Sequence, residues 1–124
     1  MLETHKELGV WQKSFRLCTR VHAVTREFPP EERFDLTAQL RRTAVSVPSN
    51  IAEGYNRATR RDYLRFLWMA NGSLAELETQ LLLAEELRLA GDNDLSNVLE
   101  SVNDVDRMLR SLIRALVRKG AAPS

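Results

Sequence analysis

Apolar residues recur along most of the chain at intervals of three and four, the spacing that lines one face of an α-helix. In residues 6–28 this spacing runs through Leu8, Trp11, Phe15, Cys18, His22 and Thr25, with Val21 beside them. Pro29 and Pro30 end the segment, because neither carries the N–H that a helix interior needs. In residues 35–56 the main stripe is Leu36, Leu40, Val47 and Ile51, flanked by Ala44 and Tyr55. Ala38, Val45 and Ala52 fall seven residues apart on a neighbouring face of the same segment. Pro48 lies inside it, so the spacing predicts a helix kinked there, the alternative being a break into two short helices.

A third segment, residues 60–89, carries Tyr63, Leu67, Ala70, Leu74, Leu77, Leu81 and Ala84 on one stripe. Thr59 and Asp62 match a Thr-x-x-acid cap, in which the hydroxyl accepts from an otherwise orphaned N–H. Asn71 and Gly72 lower helix propensity in mid-segment, and a glycine there is expected to let another helix approach. Gly91 is the expected stop. The fourth segment, residues 94–119, holds Leu95, Val98, Val102, Val105, Leu109, Leu112 and Leu116 in 3-4 spacing, with Asp92 or Asn93 as its cap. Arg114, Arg118 and Lys119 occupy its last turns, the sign that the helix dipole favours, and Gly120 to Ser124 are expected to fray.

No strand pattern competes. Four amphipathic segments with short connections predict an all-α fold, an antiparallel up-down four-helix bundle, formed as a single domain over residues 1–124. The 124 residues suit one domain, and 44% apolar with 28% charged residues is ordinary globular usage, which argues against disorder.

Charge changes the picture more than composition does. Residues 1–32 are balanced, 33–65 carry a net +4, 66–106 a net −8 and 107–124 a net +5, although the chain totals only +1. Blocks of this kind form solvated faces or opposed surfaces that meet charged partners.

The single cysteine rules out an internal disulfide and fits a reducing compartment. The start, MLETHKELGV, lacks the apolar run of a signal peptide, and no stretch approaches the length of an apolar membrane span. The expected location is the cytoplasm, with no membrane partner. Phosphate-binding glycine loops and His-Glu-x-x-His are absent, and neither His5 nor His22 has a glutamate three residues before it, as inward Glu-x-x-His metal pairs require. His22 reads as a core-edge histidine and Cys18 as a small buried hydrophobe. The expectation is a protein with no catalytic residues, no metal and no cofactor.

The run Leu36-Thr37-Ala38-Gln39-Leu40-Arg41-Arg42-Thr43-Ala44-Val45-Ser46-Val47-Pro48-Ser49-Asn50-Ile51-Ala52-Glu53-Gly54 is distinctive. With Val10-Trp11-Gln12-Lys13-Ser14 and Gly72-Ser73-Leu74-Ala75-Glu76-Leu77-Glu78-Thr79-Gln80-Leu81, it resembles the four-helix-bundle family named for proteins encoded in intervening sequences of bacterial 23S ribosomal RNA genes. The likeness spans about residues 6 to 90. It implies an intracellular bacterial protein that forms a ring-like homopentamer, and a family with no established reaction. The family is similar to the accessory proteins of diversity-generating retroelements, basic pentamers that bind a reverse transcriptase and nucleic acid. This chain departs from them in being nearly neutral.

Two functional expectations follow. Arg41, Arg42, Arg57, Arg60, Arg61 and Arg65 cluster in sequence around the second segment and the turn after it, and the arginine fork suits phosphate, so RNA or DNA is one expected partner. The other is a protein-interaction scaffold without nucleic-acid affinity. In either case a homo-oligomer, a pentamer, is expected to form through Ala38, Val45 and Ala52, with Trp68, which falls on the outer side of its helix, as a further interface residue.

Overall fold

Four helices dominate the computed structural model, which describes residues 2–121. α1 spans Gly9–Thr25, α2 Leu36–Tyr55, α3 Arg60–Glu86 and α4 Asp92–Ala121, with single 3-10 turns at His5–Glu7 and Pro30–Glu32. With 83% of the chain helical, against about one-third in an average globular protein, the core can only be built helix on helix.

Each helix packs on its sequence neighbours, and α1 closes the ring against α4, while the diagonal pairs stay apart. Cross-helix contacts run in opposite directions. Along α1, Lys13 reaches Asp104, Arg20 donates to Ser101, and Glu27 accepts from the Gly91 N–H. Cys18 meets Ala44 while Thr25 meets Arg41, Thr43 meets Glu76 while Gly54 meets Phe66, and Asn71 donates to Asp106. Adjacent helices are therefore antiparallel, and the grooves α1/α2 and α3/α4 lie on opposite sides of the bundle.

The core stripes of α2, α3 and α4 are those expected except at one end of the bundle, where Tyr55, Tyr63, Leu112 and Leu116 are only half-buried. Leu40, Val47, Ile51, Leu67, Leu77, Leu81, Leu95, Val105 and Leu109 are wholly buried, and Ile113 joins them near the end of α4. On α1 the expected stripe is displaced by one residue. Val10, Ser14, Leu17, Val21 and Val24 face the core, whereas Trp11, Cys18 and His22 are half-buried and Phe15 is 52% exposed. α1 has two apolar faces, and the one bearing aromatics is the outer one. The core face tolerates Ser14 because its hydroxyl donates locally to the Trp11 carbonyl at 2.9 Å.

α2 runs unbroken through Pro48. α3 ends at Glu86, before the expected glycine. Arg88 takes the left-handed conformation (φ 55), the Arg88 N–H bonds the Glu85 carbonyl at 3.1 Å, and the Leu89 N–H bonds the Ala84 carbonyl at 3.0 Å. This is a Schellman turn with arginine where glycine is usual. Gly91 instead precedes α4, and its carbonyl accepts from Leu95, so neither Asp92 nor Asn93 caps that helix. α4 extends through Gly120 to Ala121, so the expected fraying does not begin at Gly120, and Ala122 to Ser124 lie outside the described residues. Gly72 faces open space and admits no helix, whereas the close approach is at Gly54.

Candidate nucleic-acid interface

The antiparallel arrangement gathers the start of α3 and the end of α4 at one end of the bundle. Thr59 caps α3, its hydroxyl accepting from the Asp62 N–H at 3.1 Å, so Arg60 and Arg61 fall in the first turn. Cations there oppose the helix dipole and add to its positive field. Local helix stability does not explain them. The Arg60 guanidinium lies 3.3 Å from where a Cβ on Gly120 would stand, which brings the last turn of α4, with Arg118 and Lys119, beside them.

The arginines differ in how they are held. Arg57 pairs with Glu53 at 3.0 Å and Arg65 with Asp62 at 3.7 Å, and both guanidiniums sit 4.6 Å from the ring centroid of buried Phe66. On α4, Arg107 pairs with Asp104, and Arg110 lays its Nε 3.1 Å from both carboxylate oxygens of Asp106. Among the described residues Arg60, Arg61, Arg114 and Arg118 have no carboxylate partner. Burial, and then the neighbouring Tyr55, push the Tyr63 phenol up to about 12, so it adds no negative charge beneath this surface.

Trp68 stands in the middle. It is 51% exposed and separates two clefts. The first, about 740 Å³, is lined by Arg60, Arg61, Asp62, Leu64 and Arg65, and the second, about 420 Å³, by Arg110, Ile113, Arg114, Val117 and Arg118. Arg61, Arg65 and Trp68 share one face of α3 through 3-4 spacing, and Arg110, Arg114 and Arg118 share one face of α4. These α4 arginines were not among the site residues expected from sequence. Their spacing of four was visible, but only the antiparallel register brings them against the start of α3.

The structure does not unite all six expected arginines. Arg57, Arg60, Arg61 and Arg65 sit at the basic end. Arg42 is exposed, 15 residues before Arg57 and so roughly 20 Å back along α2. Arg41 turns inward against α1, where its Nε donates to the Thr25 hydroxyl at 2.9 Å and an Nη reaches the His22 carbonyl at 3.5 Å.

The expected interface residues also separate. Val45 is 48% exposed, with Ala38 and Ala52 half-buried along the same face of α2. Val45 and Ala52, with Pro48, Trp11 and Phe15, line an apolar groove of about 310 Å³ between α1 and α2. Trp11 and Phe15 lie against each other there, their centroids 5.1 Å apart and their planes tilted by 31°. Trp68 is on the opposite side of the bundle.

Among the described residues no three His, Cys, Asp or Glu side chains are grouped to hold a metal ion, and no helix is long and apolar enough to cross a membrane. Fold and surface together define a small antiparallel four-helix bundle with a basic groove on one side and an apolar groove on the other.

The chain belongs to the family of 23S rRNA-intervening sequence proteins, whose family model matches residues 6–111. Its fold is also that of a Bacteroides thetaiotaomicron VPI-5482 protein of unknown function from the S23 ribosomal protein family, solved as a crystal structure. The two share 22% identity over 84% of this chain and 97% of the other, with a TM-score of 0.78. No curated protein matches the chain.

Proposed function

We propose that this chain is a non-enzymatic, homo-oligomeric binding protein of the bacterial cytoplasm, a pentamer that holds RNA or DNA through the basic end of each bundle. The observation that carries this reading is the set of four arginines that have no carboxylate partner among the described residues, Arg60, Arg61, Arg114 and Arg118, drawn from two helices onto one surface. An exposed guanidinium already paired with an acid gains little from phosphate, whereas an unpaired one offers its two-pronged fork. The net charge of +1 is no obstacle, because seven of the seventeen acids, Glu31, Glu32, Asp35, Glu85, Glu86, Asp92 and Asp94, gather at the opposite end. Repetition around an oligomer multiplies weak contacts into avidity. The apolar α1/α2 groove is the surface assigned to assembly.

A filter-binding titration at low and moderate salt tests the reading. Wild-type affinity is expected to fall with salt on a log–log slope of about −0.7 to −0.9 per phosphate contact. The variant Arg60→Glu/Arg61→Glu/Arg114→Glu is expected to lose binding while keeping helicity and oligomer size, since all three side chains are exposed. Absence of wild-type binding at low salt removes nucleic acid as the partner. The same opposition of basic and acidic ends favours a protein scaffold as the second reading, and salt-sensitive assembly without nucleic-acid affinity would identify it.

A further inference from the structure

Resting on the reading above, we propose that Trp68 is a stacking platform and that the ligand of the basic groove is single-stranded nucleic acid, with an unpaired base on the indole and phosphates held on either side. The side chain is large, apolar and half-exposed among arginines, with Val117 of α4 as the one other exposed apolar side chain lining its clefts. An indole left in water within a ring of guanidiniums is poorly explained by folding. It does not fill the core, which Leu67 and Ala70 on either side complete.

The arrangement has the two parts that sequence-tolerant single-strand binding needs, a cationic track and an aromatic face within it. Arg60 and Arg61 approach from α3, and Arg114 and Arg118 from α4, so a strand crossing the groove meets cations before and after the indole. A duplex keeps its bases stacked on one another and offers the indole nothing but its backbone. The charge around the groove argues for this occupant over a second copy of the chain. An apolar partner surface would leave Arg61, Arg114 and Arg118 without compensation, whereas phosphates supply it on both sides of the indole. Head-to-tail pairing with the acidic end of a second copy is the competing arrangement, which the oligomer-size readout below separates.

The chain has two tryptophans, so a Trp11→Phe background leaves Trp68 as the sole indole reporter. Titrating that protein at low salt with a 12-nucleotide single-stranded RNA and with a blunt 12-base-pair duplex is expected to quench the emission with the single strand only. In filter binding, Trp68→Ala is expected to weaken the single strand roughly 10- to 100-fold, with the duplex affinity and the salt slope unchanged, and Trp68→Phe is expected to restore most of the loss. Full single-strand affinity in Trp68→Ala overturns the stacking role while leaving electrostatic binding intact. Equal losses for both ligands also overturn it. If Trp68→Ala instead shrinks the oligomer, the indole is a contact between copies and the proposal fails. If wild type binds neither ligand, the parent reading fails with it.

Discussion

The Cys18 thiol donates to the Ala44 carbonyl at 3.1 Å, and Ala44 is the residue whose helical partner four positions on is Pro48. Proline has no N–H to return, so a side chain of α1 satisfies a carbonyl that α2 cannot. This explains how a proline is buried inside an unbroken helix, and it ties α1 to α2 at the level of the apolar groove. A double-mutant cycle reads the link. Cys18→Ala is expected to destabilise by about 1 kcal/mol in the native background and by measurably less in Pro48→Ala, where the restored N–H serves Ala44. Equal losses in both backgrounds would show that the two residues act independently.

The same bond and its surroundings make Cys18 inert. Burial pushes its thiol up from 9.0 to about 11, the backbone of Cys18 itself offsetting only part of that rise. Two pH units remove about 99% of the thiolate, so alkylation by iodoacetamide at pH 8 is expected to run about a hundredfold slower than for an unfolded control. It should recover in denaturant. Alkylation of the folded protein at the unfolded rate would contradict the burial of this thiol.

Gly54 and Gly72 separate two uses of glycine. A Cβ on Gly54 would stand 2.8 Å from the Phe66 Cβ and 3.1 Å from the Tyr63 carbonyl, whereas one on Gly72 would meet nothing. Gly54→Ala is expected to push α2 from α3 and lower stability by about 1–3 kcal/mol. Gly72→Ala is expected to raise it by up to about 1 kcal/mol through helix propensity alone. Urea denaturation of the two variants should therefore move the midpoint in opposite directions.

Arg88 offers a second stabilising change. A side chain in the left-handed region is strained, and a Schellman turn favours glycine there. Arg88→Gly is expected to add about 1 kcal/mol, seen as a rise in the thermal midpoint, with no change in the helical spectrum.

Much of the bundle was legible in the chain because burial and helical spacing coincide in α2, α3 and α4. Where they failed, a specific competitor won. On α1 two apolar stripes run one residue apart, and the aromatic one, Trp11 and Phe15, looked like core by size but lies outside. At the end of α3, Arg88 took a conformation that spacing assigns to glycine, moving the stop forward. The proposed binding surface was half legible. Arg60 and Arg61 stand out beside a turn, but Arg110, Arg114 and Arg118 join them only through antiparallel register, and Arg41 is withdrawn by Thr25, a contact that no local pattern encodes.

Acid should weaken the fold through His22. Its imidazole is held below the ordinary 6.5, first by burial and then by the charges of Arg41 and Arg26. The native state therefore resists a proton that the unfolded chain accepts. Below pH 6.5 the unfolded state binds more protons, so stability is full above that value and is lost as pH falls through 6.5 towards the lower native value. His22→Gln should flatten this part of the urea-midpoint profile between pH 7 and 5, and an unchanged slope would assign the loss to other groups.

The assembly prediction rests on Val45. It is 48% exposed in a groove whose walls include Trp11, Phe15, Pro48 and Ala52, beside His5 and Ser49, and no segment among the described residues covers it. A groove with two aromatic rings and three small apolar side chains gains by excluding water, and small residues at its floor let a partner backbone come close. In a closed ring each copy meets its neighbours through two different surfaces, so the groove of one copy needs to face only one other surface of the next. Light scattering of the wild type at micromolar concentration is expected to give five copies. Val45→Glu places a charge where that contact would bury it, and is expected to yield monomers with an unaltered helical spectrum, because residue 45 lies outside the core. Val45→Leu, which keeps the apolar character, is expected to remain assembled. A wild type that scatters as a monomer would end the oligomer reading, and a Val45→Glu protein of wild-type size would move the interface to another face of the bundle.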